Sequence, residues 1–192
     1  MTHVVTLSGS PAVRSRSTHL LGIAEEALRR RGVVVRRIDA RALPAGALMH
    51  AQADDPAVRE ALKLVEQAQA VVVATPLYKA AYSGLLKSFL DLLPQAALAD
   101  KPVLPLATGG SLAHLLALDY ALKPVLASLG ARHVLDNVFA TERDVAQIGG
   151  DYTLSDAIAQ RLAEAVDSLL GVLDDADTLR GLRAAPRFAA AA

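Results

Sequence analysis

A chain of 192 residues with 53% hydrophobic content is long enough for one domain with a substantial core and too apolar to be disordered. Lys+Arg and Asp+Glu both number 20, so net charge supplies no drive toward nucleic acid or an anionic membrane; the absence of cysteine excludes disulfides, thiolate metal sites and a cysteine nucleophile. The opening "MTHVVTLSGS" has neither the basic region nor the apolar core of a signal peptide, and no apolar run reaches the roughly 18 residues of a membrane span, which predicts a soluble cytoplasmic protein.

Short β-branched runs alternate with longer helical patterns. The strand "HVVTL" (3–7) leads into "SGSPAVRSRST", and a helix is predicted over 17–31, with a hydroxyl at its start, arginines in its last turn and Gly32 just beyond. "VVVRRI" (33–38) reads as the second strand. Residues 40–54 form a segment that folds over a ligand or into a subunit contact, and Asp39 before it reads as a capping or loop residue. The second helix starts at "DDPAVREALKLVEQA", with Asp55 as N-cap and Pro56 in the first helical position. "AVVVAT" (70–75) and "PVLPLAT" (102–108) are further strands, with a weaker one at 133–140. Continuous apolar runs of this length suit strands covered on both faces.

Helices are predicted over 82–93, 112–129 and 155–173. Pro124 lies inside the second of these and lacks a backbone donor, so a kink or local widening is expected near 119–123. The tail "LRGLRAAPRFAAAA" has no core-facing period; the domain is placed at 1–175 and 176–192 is expected to be mobile. The β-α-β-α order implies a doubly wound α/β sheet, whose ligands sit beyond the carboxyl ends of the strands. Three loops therefore matter: 8–17, 75–83 and 108–112.

The first contains neither G-x-G-x-x-G nor G-x-x-x-x-G-K-[ST]. It contains Ser8, Ser10, Arg14, Ser15, Arg16, Ser17 and Thr18 leading into a helix N-terminus. Helix N–H groups, hydroxyls and guanidinium groups together make a phosphate site without a metal, and a capping role for Ser17 would account for only one of the hydroxyls. The second, "ATPLYKAAYSGLLKSFLDLLP", offers Pro76, Leu77 and Tyr78 as a wall for a planar ligand, although by itself it reads more readily as a turn with Tyr78 half buried. Ser83, Gly84, Lys87 and Asp91 belong to the helix behind it; Gly84 would permit close packing, and Lys87 and Asp91 have the spacing of a helical ion pair. The third, "ATGGSLAHL", brings the backbone of Gly109 and Gly110 close to any ligand, or is an ordinary turn with Ser111 as N-cap. Together the three suit a phosphorylated planar cofactor.

"SGSP…SRS", "ATPLYKAAYSGLLKSFLDLLP" and "KPVLPLATGGSLAHLLALDYALKPVL" resemble the NAD(P)H-dependent FMN reductases of two-component alkanesulfonate monooxygenase systems, over about 3–140 and most specifically over 74–126. The resemblance implies a flavodoxin-like α/β fold: a five-stranded parallel sheet of order 2-1-3-4-5 with helices on both faces. It places the FMN phosphate on Ser8, Ser10, Arg16 and Ser17, with Arg14 matching less closely. Pro76, Leu77, Tyr78 and Lys79 flank the isoalloxazine, and Thr108, Gly109, Gly110 and Ser111 line its other side. It sets Tyr120, an inserted tyrosine of the fourth helix, at the interface of a homo-oligomer, a dimer or tetramer.

The implied reaction is hydride transfer from NADPH or NADH to FMN, and the reduced FMN is handed as a product to a reduced-flavin-dependent monooxygenase in sulfur acquisition. No catalytic side chain is required, because the chemistry lies between the cofactors. His3, His19, His50, His114 and His133 show no metal-ligand spacing, so no metal is expected. A quinone or azo reductase with tightly held FMN and a flavodoxin-like electron carrier are the alternatives on the same fold; a net charge of zero speaks against the usually acidic carrier. Nothing in the sequence identifies the residues for the NADPH 2′-phosphate beyond Lys79 and the arginines as candidates, and nothing downstream of about 141 carries a transferred role.

Overall fold

A computed structural model describes residues 2–111 and 114–184. In chain order its elements are β1 (His3–Ser8), α1 (Arg16–Arg30), β2 (Val34–Asp39), α2 (Ala45–Met49), α3 (Pro56–Gln67), β3 (Ala70–Tyr78), β4 (Ala81–Tyr82), α4 (Gly84–Leu90), β5 (Val103–Gly109), α5 (Lys123–Ser128), β6 (Val138–Thr141), β7 (Val145–Ile148), β8 (Asp151–Leu154) and α6 (Asp156–Ala184). The central sheet has the order β2-β1-β3-β5-β6, all parallel, which is the expected 2-1-3-4-5 arrangement among the described residues. The two-residue β4 pairs antiparallel with the end of β3, and β7 and β8 form a separate hairpin.

The unbroken apolar strands reflect two buried faces. Along β3, Val71 and Val73 pack into one layer with α3, α4 and α5, whereas Ala70, Val72 and Ala74 pack into the other with α1 and α6. On the first side Val58, Ala61 and Val65 of α3 meet Leu86, Phe89 and Leu90 of α4; Ala47 and Leu48 of α2 join them, so part of 40–54 is core. On the second, Leu20, Leu21, Ala24 and Leu28 of α1 face Ile158, Leu162, Val166, Leu169 and Leu173 of α6. Steps of three and four residues along such stripes turn one helix face inward. β2 is an edge strand whose Arg36 and Arg37 are exposed, so it is not covered on both faces as its apolar start suggests.

Capping explains several boundaries. Asp55 caps α3, accepting from Ala57 N and Val58 N at 2.9 and 3.3 Å, with Pro56 next. α1 starts at Arg16, two residues earlier than it would if Ser17 were its cap: Ser15 is the N-cap, accepting from Thr18 N, and Ser17 lies inside the first turn. The third predicted helix is shorter than 82–93 because Ser83 caps it and Tyr82 is drawn into β4.

Around Pro124 the expected widening is present: 118–122 is a turn of π-helix, followed by α5. Of the predicted 112–129 helix, 112 and 113 lie outside the described residues. The strand predicted at 133–140 is formed at 138–141, preceded by a lone bridge between Val134 and Val103. α6 passes the predicted end at 173 and reaches Ala184, with no buried residue over 174–179. Residues 185–192 of the expected mobile tail lie outside the described residues. No helix of the described residues is long and apolar enough to cross a membrane.

Candidate functional site

A crevice opens at the carboxyl ends of β1, β3 and β5. It is lined from the first loop by Ser10, Ala12, Arg14, Ser15 and Arg16, from β3 by Pro76, Leu77 and Tyr78, and from β5 by Thr108, Gly109 and Gly110, with Glu142 and Tyr152 closing one side. The two walls are strand ends rather than loops: β3 runs through Pro76 to Tyr78, and Pro76 stands opposite Thr108 in the parallel ladder. The first loop is positioned by Gly9, whose N–H donates to Ala74 O at 2.8 Å and whose carbonyl accepts from the Ser83 hydroxyl. A Cβ on Gly9 would lie 2.6 Å from Leu86 Cβ, so only glycine fits between the loop and α4.

Within the loop the hydroxyls divide into two groups. Ser8 and Ser17 are fully buried and brace the loop: Ser8 Oγ meets Thr18 Oγ1 at 2.9 Å and Ser17 Oγ meets Ser15 Oγ at 2.9 Å. Neither lines the crevice. Ser10 and Ser15 do, together with Arg14 and Arg16, at the N-terminus of α1 where helix N–H groups lack helical acceptors. The donor set at this end of the crevice, two guanidinium groups, hydroxyls and an open helix end, fits a phosphate. Thus Ser15, read from sequence only as part of the polar cluster, lines the crevice, whereas the side chain of Ser17 does not.

The other end suits a flat apolar ring. Tyr78 is half exposed beside Leu77, and Gly109 is packed so closely that a Cβ would come within 3.0 Å of Phe139 Cζ, while a Cβ on Gly110 would meet nothing within 4 Å. Lys79 and Ser111 stand just past the lining residues. Lys79 and Ala80 form the tight turn between β3 and β4, both with positive φ, 50° and 62°. That left-handed pair is the one a two-residue hairpin turn demands, here met by residues that pay about 1 kcal/mol each for it. Behind the turn Tyr82 is partly buried, and that burial pushes its phenol above the ordinary tyrosine value despite the opposing Lys87; Asp91 adds to the rise. Lys87 and Asp91 pair as their spacing predicts, at 2.5 and 2.7 Å, and the hydrogen bond to Asp91 raises the lysine. Gly84 is exposed, with no atom near a hypothetical Cβ, so close packing is not its reason. Asp39 ends β2 and pairs with Arg37 at 3.4 Å.

The side formed by the β7–β8 hairpin was not anticipated. Arg16 donates from Nε to Val145 O at 3.0 Å, approaches Glu142 with Nη1 at 3.5 Å and lies 5.8 Å from the centre of the Tyr152 ring; Arg14 donates to Gly150 O at 3.4 Å. Asp144 anchors the hairpin, accepting from Thr141 N and Oγ1 at 2.8 and 2.6 Å, and these bonds hold its carboxyl below the ordinary aspartate value. The signal was present in "VAQIGGDYTL": two short alternating runs joined by Gly149 and Gly150, both with positive φ. Among the described residues no group of three or more His, Cys, Asp or Glu could hold a metal ion.

Tyr120 lies on the π-helical turn and is 80% exposed, with Leu116 on the preceding turn also exposed.

Comparison with known proteins identifies the family of the chain. The profile of the family described as NADPH-dependent FMN reductase matches residues 2–146. The FMN reductase (NADPH) of Pseudomonas putida is 48% identical over 167 residues, covering 86% of this chain and 85% of that one; the FMN reductase (NADPH) of Escherichia coli is 51% identical over 142 residues, 74% of each chain. The apo crystal structure of the NADH:FMN oxidoreductase EMOB superposes with a TM-score of 0.80 at 41% identity, covering 88% of each chain.

Proposed function

Since the chain belongs to the NADPH-dependent FMN reductase family, an oxidoreductase that takes FMN with NADPH or NADH, we propose that its crevice binds FMN as an exchangeable substrate and that the reduced flavin passes to a partner monooxygenase of alkanesulfonate desulfonation. The observation that carries the binding mode is the meeting of Ser10, Arg14, Ser15 and Arg16 with Pro76–Tyr78 and Thr108–Gly110 in one crevice.

The roles of the residues follow from their placement. Arg14, Arg16, Ser10 and Ser15 hold the phosphate, and the buried Ser8 and Ser17 fix the loop that presents them. Pro76, Leu77 and Tyr78 support one face and edge of the ring, with Lys79 at its margin. Thr108, Gly109 and Gly110 bring backbone to the other side, with Ser111 beyond them. Bound FMN supplies the acceptor for a hydride from the nicotinamide, so the protein is asked for alignment rather than for a nucleophile or an acid–base pair. Backbone N–H groups of the glycine turn can hold negative charge at the polar edge of the ring. A homo-oligomer built through Tyr120 and Leu116 is supported by the exposure of both side chains on adjacent turns of one helical segment.

The test is the oxidation of NADPH and of NADH by protein stripped of flavin on gel filtration, with and without added FMN. Turnover that requires free FMN and saturates with it is expected, and adding a flavin-dependent alkanesulfonate monooxygenase should yield sulfite. Flavin retained through stripping, with turnover independent of added FMN, would instead identify a reductase that keeps its cofactor.

A further inference from the structure

Glu142 is a carboxylate at the phosphate end of a crevice otherwise equipped for an anion. Its place is imposed by the sheet: Thr141 is the last residue of β6 and pairs with Gly109, so the next residue emerges beside the β5 glycine turn and faces the first loop. Its side chain is 62% exposed and approaches Nη1 of Arg16 at 3.5 Å. Arg16 does not depend on this contact for its position. Its Nε is held by Val145 O at 3.0 Å and its guanidinium lies against Tyr152.

We propose that Glu142 sets how loosely the crevice holds a phosphate dianion, by competing with the ligand phosphate for Arg16 and repelling it. This rests on the reading of the crevice as an FMN site. A phosphate arriving at the α1 N-terminus must displace the carboxylate from Nη1 and then share the guanidinium with a neighbouring negative charge. An exposed ion pair of this kind is weak, so it is displaced easily, yet it lowers the net gain from each phosphate contact. The arrangement suits a protein that must release its flavin rather than retain it.

The experiment is a titration of the stripped protein with FMN and with riboflavin, which lacks the phosphate, comparing wild type with Glu142→Gln and repeating both in an Arg16→Ala background. Glu142→Gln is expected to tighten FMN binding by about three- to tenfold and to change riboflavin binding by less than about twofold. In the Arg16→Ala background the effect on FMN should fall below about twofold, since the contested partner is gone. An unchanged FMN affinity in Glu142→Gln, an equal change for the two flavins, or an effect undiminished without Arg16 overturns the role of Glu142 and leaves the flavin site standing. Failure of the wild type to bind either flavin overturns the site and this role together.

Discussion

The two ends of the crevice are built in opposite ways. At the phosphate end the loop is tied down before any ligand arrives: Gly9 is wedged against Leu86, Ser83 holds its carbonyl, and Ser8 and Ser17 are buried against other hydroxyls. Beneath it the buried Glu25 links α1 to the sheet, accepting from Thr6 Oγ1 at 2.7 Å and facing Arg29 and Arg37. At the ring end Tyr78 is exposed, the Lys79–Ala80 turn sits in left-handed backbone, and Tyr120 projects from an irregular helix. Fixed donors of this kind suit a small, highly charged group, whereas an open surface suits a broad apolar ring.

If the phosphate end is rigid, breaking its seat should cost most. Gly9→Ala forces a 2.6 Å contact with Leu86 Cβ and is expected to lower stability by about 2–3 kcal/mol, with FMN affinity falling more than tenfold; thermal unfolding and flavin titration check both. Next comes Glu25→Ala, which strands the Thr6 hydroxyl and leaves Arg37 without its buried partner. A loss of about 1–3 kcal/mol in urea unfolding is expected, with Glu25→Gln losing less because an amide oxygen still accepts from Thr6.

The ring end should respond in the other direction. Lys79→Gly and Ala80→Gly relieve positive φ, so each should raise stability by about 0.5–1 kcal/mol; a loss would show that the turn is held by contacts rather than strained. Tyr120→Ala is expected to leave protomer unfolding within about 0.5 kcal/mol of wild type, because the side chain is 80% exposed, while reducing the oligomer mass in sedimentation.

The smallest effect concerns the hairpin that closes the phosphate end. The folded state lowers the Asp144 pKa, chiefly through the Thr141 hydroxyl, so ionised Asp144 stabilises the protein at neutral pH and that contribution is lost as pH falls through the depressed folded value. The melting temperature of wild type should exceed that of Asp144→Asn at pH 7, and the gap should close in acid. A gap that persists unchanged at low pH would mean that the carboxylate charge is not what holds the hairpin.

Much of this was legible in the residues. The alternation of apolar runs with capped amphipathic helices predicts the doubly wound sheet, Asp55-Pro56 marks a helix start, and Pro124 predicts a kink or widening where the π-helical turn stands. The lining residues Ser10, Arg16, Pro76, Leu77, Tyr78, Thr108, Gly109 and Gly110 all lie in segments that the strand-end rule singles out. The division of the hydroxyls was not legible. Ser8, Ser10, Ser15 and Ser17 look equivalent as letters, and only the packed loop separates Ser8 and Ser17, which brace it, from Ser10 and Ser15, which line the crevice. The length of α6 also escaped, because no residue over 174–179 is buried to mark a core-facing period there.

Local chemistry therefore determined the elements, their order and the loops that matter, since strand runs, caps and breakers act on near neighbours in the chain. Which side chains line the crevice was decided by contacts between distant segments: α4 against Gly9, and Glu142 and the β7–β8 hairpin against Arg16, the latter more than a hundred residues apart in the chain. Burial and charge pairing across such distances are properties of the packed layers, and no window along the sequence contains both partners.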